Sequence, residues 1–312
     1  MDNLIFSINV VLPMFLIMCL GTFFKKINIF DEIFLKKANT FTFKALLPVL
    51  LFNNIYKSKI TDIFNGKLVI FAVSIVLILI AFLMITVPKF EKDNKNRGVL
   101  IQGMFRSNFV LFGIPLVTNI SGSEGGALSA MLIAIIIPLY NFTSVIILDI
   151  YSKENLQIKE TLIGIAKNPL IIGSFLGILT SIFKLNLPNS IEKTISDVAS
   201  LATPLALMTL GGEFEIGNVL KNKKYITIVC AFKLLISPAI ILPIAIFIGF
   251  RGPELASLFA MAAAPIAVTS FTMAQNCGSN YELAGQIVFI STILSSFTIF
   301  MFTYIFKTMG VF

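Results

Sequence analysis

Uninterrupted apolar runs of 18 or more residues recur from one end of this 312-residue chain to the other. Each is long enough to cross a bilayer as a single helix. Charged residues make up only 13% of the chain and hydrophobic ones 57%, where soluble domains carry about 25% charged residues. A water-soluble globular fold is thereby excluded, and the chain reads as a polytopic membrane protein embedded in a lipid bilayer. The net charge of +8 does not point to nucleic acid, because Lys and Arg sit in short loops between apolar runs and form no single basic face. Cys19, Cys230 and Cys277 are odd in number and lack metal-ligand spacing. They read as small buried apolar residues, with neither a disulfide framework nor a metal expected.

Ten spans are expected, near 4–24, 34–56, 67–88, 98–121, 126–150, 160–184, 190–213, 224–249, 254–276 and 282–306. No loop exceeds about a dozen residues, so no soluble domain is expected between spans. The first run begins at Leu4 behind Asp2, without a basic segment before it, which argues against a cleavable signal peptide. Loops 25–37, 89–97, 151–159 and 214–224 carry 13 Lys and Arg, against 7 on the opposite side. The positive-inside rule then puts both termini outside the cytoplasm, with a cell (plasma or inner) membrane as the expected location.

The chain also repeats itself. At an offset of 156 residues, Pro13 meets Pro169, Gly21 meets Gly177, Pro48 meets Pro204, and Gly122-Ser123 meets Gly278-Ser279. This divides the chain into a first five-helix repeat (1–150), a short cytosolic linker (151–159) and a second repeat (160–312). Five is odd, so the second repeat enters the membrane from the side opposite the first. An inverted repeat of this kind characterises secondary transporters, which alternate access around a site near the midplane.

Two spans contain residues that disrupt helices. The fourth runs from Arg106 through Asn108 and Gly113 to Pro115, and the ninth runs from Ala262 through Pro265 and Thr269 to Gln275. Proline lacks an amide proton and glycine permits close backbone approach. A break is tolerated in a membrane only where the freed groups meet protein, water or ligand. Both broken spans are fourth in their repeat, as paired discontinuous helices are. The N-terminal ends of half-helices attract anions, which makes a carboxylate the natural guest at Gly113, Pro115 and Pro265. Asn53, Asn54, Asn108, Thr269, Thr272 and Gln275 offer hydrogen bonds without fixed charge, or serve as contacts between helices.

Asn108-xxxx-Gly113-x-Pro115-Leu116 resembles the N-x-x-x-x-G-x-P-L signature of the auxin efflux carrier family. Ala263-Ala264-Pro265 through Ala274, followed by Glu282, resembles that family's second broken helix. Leu47-Pro48 with Asn53-Asn54, and Thr203-Pro204-Leu205 with Leu210-Gly211, resemble its second and seventh spans. The resemblance implies an all-α fold of ten helices in two inverted five-helix repeats with crossed fourth and ninth helices, shared with sodium/proton antiporters and bile-acid symporters. It implies a scaffold of spans 1, 2, 6 and 7, a transport part of spans 3–5 and 8–10, and a homodimer. Family members move organic anions such as malate, malonate or auxin-like aromatic acids, and the short central loop is similar to that of the compact bacterial branch. At the 156 offset Pro115 would meet Phe271, six residues past Pro265, so the two broken spans differ by compensating insertions and deletions.

Charge inside hydrocarbon is costly and marks candidate functional residues. Lys167 lies near a span end and can snorkel. Lys44 precedes Pro48 by one turn and either faces an aqueous path or snorkels. Arg106, outside the family signature, stands about 13 Å along a helix from Pro115. It either receives a second carboxylate of a diacid or steers anions from the cytosolic mouth. Lys233 is deep in the eighth span, where it either neutralises the carbonyl ends of the half-helices or exchanges a proton. Asp149, Glu213 and Glu215 read as interfacial charges at span ends, and Asp197 as a weaker coupling candidate. No cofactor is expected beyond a possible coupling H+ or Na+. With no histidine, no metal cluster and no nucleophile–base pair, an enzyme has little to work with. The competing readings are a membrane sensor or receptor and an ion exchanger or channel of the same fold.

Overall fold

The computed structural model describes residues 2–57, 64–152, 167–214 and 219–311. Among them the chain is helical, with one isolated β-bridge and no strand. We number the helices α1 (Asp2–Lys26), α2 (32–57), α3 (Gly66–Phe90), α4 (Asn94–Phe105), α5 (Phe109–Gly122), α6 (Glu124–Ser152), α7 (Pro169–Ile182), α8 (Asn189–Glu213), α9 (Lys223–Ile248), α10 (Gly252–Ala263), α11 (Thr269–Asn276) and α12 (Tyr281–Thr308). Five of them (α3, α6, α8, α9 and α12) are long and apolar enough to cross a membrane. Most of the linker expected at 151–159, the start of the sixth span and Glu215 lie outside the described residues.

Helix starts follow local chemistry. Asp31, Asn65, Asp93, Asn168 and Asn280 each accept a hydrogen bond from a first-turn amide of α2, α3, α4, α7 and α12. Pro169 follows Asn168 at the first helical position, where its missing amide proton costs nothing. Helix α9 stops at Gly249, whose φ of 100° is left-handed and suits glycine alone. Paired helices start at Glu32 and Asn189, Gly66 and Lys223, Asn94 and Gly252, and Glu124 and Tyr281. Each pair is 157 or 158 residues apart, close to the 156-residue spacing of the proline and glycine matches.

Helix α3 leaves Ile70, Leu77, Ile78, Phe82 and Ile85 exposed, a surface that suits lipid and not water. In contrast α4 from Gly98 to Phe105, and α10 from Leu255 to Ala263, are buried all round, as expected of central helices. Two crossings are set by glycine. A Cβ on Gly21 of α1 would stand 2.0 Å from the Met208 carbonyl oxygen of α8, and one on Gly211 of α8 would stand 1.9 Å from that of Met18. A Cβ on Gly173 of α7 would likewise meet the Pro48 carbonyl of α2 at 2.5 Å. So α1 packs on α8 and α7 on α2 at backbone contact.

Helices α2 and α9 each contain one widened π-turn, Thr42–Leu46 and Phe232–Ile236. Such turns occur often at functional positions. They contain Lys44 and Lys233 respectively, and Gly122, with φ 70° and ψ −163°, separates α5 from α6.

Candidate functional site: a donor-lined cavity beside two broken helices

Helix α4 stops at Phe105 and α10 at Ala263, and both chains run extended before α5 and α11 begin. At the second break the cause is local. Pro265 cannot donate to the helix and pushes the preceding residue out of helical geometry, and Ala264 indeed has ψ 148°. The first break lies elsewhere than expected. Gly113 and Pro115 sit inside α5, and the unwound residues are Arg106, Ser107 and Asn108. The reason is pairing across the molecule. Ser107 bridges Ile266 in antiparallel fashion, and the Asn108 amide donates to the Pro265 carbonyl at 2.7 Å. The Ile266 amide in turn donates to Ser291 Oγ at 3.3 Å. The two extended segments thus satisfy each other's backbone where no water is at hand. Ser107-Asn108 ahead of an apolar run is a helix-capping signal that would have located this break.

A cavity opens beside the paired segments. One wall comes from α2, α7 and α8 (Leu47, Leu51, Asn54, Leu170, Thr203 and Ala206). The other comes from the first break, α5, α6 and the second break (Arg106, Ser107, Asn108, Asn141, Val268 and Thr269). Its free volume is about 50 Å³, and a single water needs roughly 10–15 Å³ by the same measure. It therefore has room for a few waters or one small solute.

Among the described residues the one charged group lining this cavity is a donor, and several of its amide nitrogens lack a partner. Arg106 is buried, with an exposure of 4%. Its Nη2 donates to Asn141 Oδ1 at 2.5 Å and to Thr269 Oγ1 at 2.7 Å, and its Nη1 contacts the Met273 sulfur. Among the described residues no carboxylate lines the cavity. Because Asn141 spends its oxygen on the guanidinium, its Nδ2 must point away, and that nitrogen has no partner. The Nδ2 atoms of Asn54 and Asn108 and the Ser107 hydroxyl are likewise buried and unpartnered. Val110 and Leu111, from the first turn of α5, complete this face. Their amides have no acceptor within their own helix and sit at its positive end.

The structure thus gathers Asn54, Arg106, Asn108 and Thr269 at one cavity, with the Pro265 carbonyl holding Asn108 in place. Gly113, Pro115 and the two lysines are not among its lining residues. A Cβ on Gly113 would press on the Phe109 ring at 2.8 Å, so that glycine serves packing within α5. Lys44 is exposed on α2. Lys233 is buried, and its Nζ donates at 3.0 Å to the Ala262 carbonyl in the last turn of α10. That places a cation at the negative end of a helix. Asn141 and Ser107 were missed from sequence. Asn141 is visible there only as a lone amide within an apolar span.

Apolar helices that leave a lipid-compatible surface, broken at two mutually paired points beside a buried polar cavity, define a multi-pass membrane transport protein. The profile of the family described as "Membrane transport protein" matches residues 6–161 and 154–303. The chain belongs to that family, the auxin efflux carriers. It is similar to an uncharacterized transporter of Methanocaldococcus jannaschii, with 26% identity over 298 residues, 92% of this chain and 94% of the relative. A second uncharacterized transporter, from Methanothermobacter thermautotrophicus, is 23% identical over 293 residues, 93% of this chain and 95% of the relative. Family and relatives are described as transporters and not as enzymes.

Proposed function

We propose that the protein is a secondary transporter of a small organic anion, a carboxylate in the first instance, working by alternating access in the cell membrane. The observation that carries this reading is the imbalance of the cavity. Residues bearing one buried guanidinium and three unpartnered amide nitrogens line this space beside the positive end of α5, and among the described residues no carboxylate lines it. Unpaired buried donors and an unpaired buried charge are each unfavourable, and an anion relieves both at once. Helices α4–α5 and α10–α11 serve as the crossed fourth and ninth spans of two inverted repeats. Spans 1, 2, 6 and 7 (α1, α2, α7 and α8) form the scaffold, and the remaining helices carry the anion past it. The backbone contacts at Gly21, Gly211 and Gly173 support a rigid scaffold, and the cavity's position between the two groups of helices supports the division. Lys233 takes the place of a bound cation at the carbonyl end of α10.

The test is a thermal-shift screen of mono- and dicarboxylates on purified protein, with and without sodium. At least one small carboxylate is expected to raise the melting temperature. Asn108→Ala removes a hydrogen bond to a charged group, worth about 1.5–3 kcal/mol, so affinity should fall roughly 10- to 100-fold. If no acid shifts the wild type while a cation or uncharged solute does, the organic-anion reading fails. Where an acid does bind, saturable counterflow of its labelled form in liposomes separates a carrier from a sensor or channel.

A further inference from the structure

A second polar cleft lies at the end of the molecule that carries Lys25 and Lys36. It is lined by Lys25 of α1, Glu32, Leu35 and Lys36 of α2, Glu213 of α8, Gln275 of α11, and Tyr281 and Glu282 of α12. The anion cavity takes walls from three of the same helices. Along α2, Asn39 is eight residues from Leu47. Along α8, Glu213 is seven from Ala206, and along α11, Gln275 is six from Thr269. At 1.5 Å per residue all three separations are about 9–12 Å. A chain of side chains links the three helices at the cleft end. Asn39 Nδ2 donates to Gln275 Oε1, and Gln275 Nε2 donates to both carboxylate oxygens of Glu213, at 2.9 Å each. Asn39 is fully buried, and its Oδ1 has no partner.

This chain ties two scaffold helices, α2 and α8, to α11 in the transport part, and it depends on the charge of Glu213. Gln275 needs both carboxylate oxygens as acceptors, and its own oxygen is already engaged by Asn39. A proton on Glu213 removes the charge and weakens one of the two acceptor oxygens that Gln275 uses. Turning over both amides restores a path through Asn39 Oδ1, but a single neutral bond then replaces two bonds to an ionised group, which are about twice as strong. The other charged or titratable groups lining this cleft are Lys25, Glu32, Lys36, Tyr281 and Glu282. Of these, Lys25 and Lys36 favour the ionised form of Glu213 and Glu32 opposes it.

We propose that Glu213 is a proton-binding site that controls a latch. Ionised, it holds the transport part against the scaffold through Gln275, and protonation loosens that hold. The proposal rests on the division into scaffold and transport part given above, and it makes the proton the ion that sets the rate of transport.

Three measurements test it. Hydrogen–deuterium exchange over residues 269–276, corrected for the intrinsic effect of pH on amide exchange, reads the latch without any substrate. Wild type is expected to exchange about threefold or more faster at pH 6 than at pH 8. Glu213→Gln and Gln275→Leu should be fast and equal at both. Counterflow in liposomes, with an acid that stays fully ionised over this range, should show the same pattern in its rate. Thermal shift should find carboxylate binding unchanged in both variants. A flat wild-type exchange profile, or a pH slope retained in Glu213→Gln, overturns the latch whatever the binding screen shows. A pH-dependent latch in a protein that binds no carboxylate overturns the anion reading and leaves the latch standing.

Discussion

Replacing Arg106 with Met is expected to cut carboxylate affinity about 30-fold or more while leaving the empty protein as stable as wild type or more stable. The two signs have one cause. Arg106 is buried and, among the described residues, its guanidinium is held by an amide oxygen, a hydroxyl and a thioether and by no carboxylate, so the empty protein bears the cost of an uncompensated charge. Exchanging buried charge for apolar volume is often neutral or stabilising by about 1–4 kcal/mol. The oxygens of Asn141 and Thr269 that lose their donor face the cavity and can take water instead. The bound anion, however, loses its counter-charge, which costs about 2–5 kcal/mol for a buried charge pair, and each 1.4 kcal/mol is tenfold in affinity. Arg106→Lys keeps the charge without the planar fork and should fall between the two. Melting temperatures of the empty proteins, together with a carboxylate titration of each, check both halves. A Met variant that binds as tightly as wild type removes Arg106 from the site. One that melts far lower when empty makes Arg106 a structural residue.

Gly211→Leu is expected to abolish folded, monodisperse protein, and Gly21→Leu to do the same. A Cβ at either position would lie about 2 Å from a backbone carbonyl oxygen of the facing helix. A backbone atom cannot change rotamer to make room, so α1 and α8 would have to separate along their contact. Thr22 Oγ1, which donates to the Gly211 carbonyl at 2.7 Å, would be pulled away with them. Overpacking in a dense interior costs about 1–3 kcal/mol even where side chains can yield, and here they cannot. A protein whose margin is on the order of 5–15 kcal/mol has little room for that. Gly66→Ala supplies the contrast. Among the described residues its Cβ would meet the Phe64 ring alone, at an ordinary 3.5 Å, and alanine favours the helix by up to about 1 kcal/mol. Size-exclusion profiles and melting temperatures of the three variants decide the matter. A well-folded Gly211→Leu protein would show that the α1–α8 crossing is looser than described.

Much of the architecture was legible because a bilayer leaves few options. Apolar runs announce helices, since a backbone in hydrocarbon has no other way to satisfy itself. The cap residues Asn65, Asp93 and Asn280 start α3, α4 and α12 close to where the hydropathy pattern begins. Pro265 located the second break because its effect on Ala264 is local and steric. Pro115 misled for a related reason. A proline seven residues into α5 is accommodated inside the helix, whereas the actual break carries no proline. It exists because Ser107 and Asn108 find partners on a segment about 160 residues away.

The division between what sequence determined and what tertiary structure decided therefore follows the range of the interaction. Membrane residence, the repeated spacing, the Pro265 break and the presence of Asn54, Arg106, Asn108, Thr269 and Lys233 inside apolar spans are properties of neighbouring residues and could be read in one dimension. Which of those residues share a cavity could not. Arg106 is held by Asn141, 35 residues on, and by Thr269, 163 residues on, while Lys233 turns to the Ala262 carbonyl outside the cavity. Glu213, at the end of a span, resembles any interfacial acid until Gln275 and Asn39 are brought beside it from other helices. Hydropathy reports how each residue partitions into lipid. Only packing decides which donors are left facing each other with nothing between them.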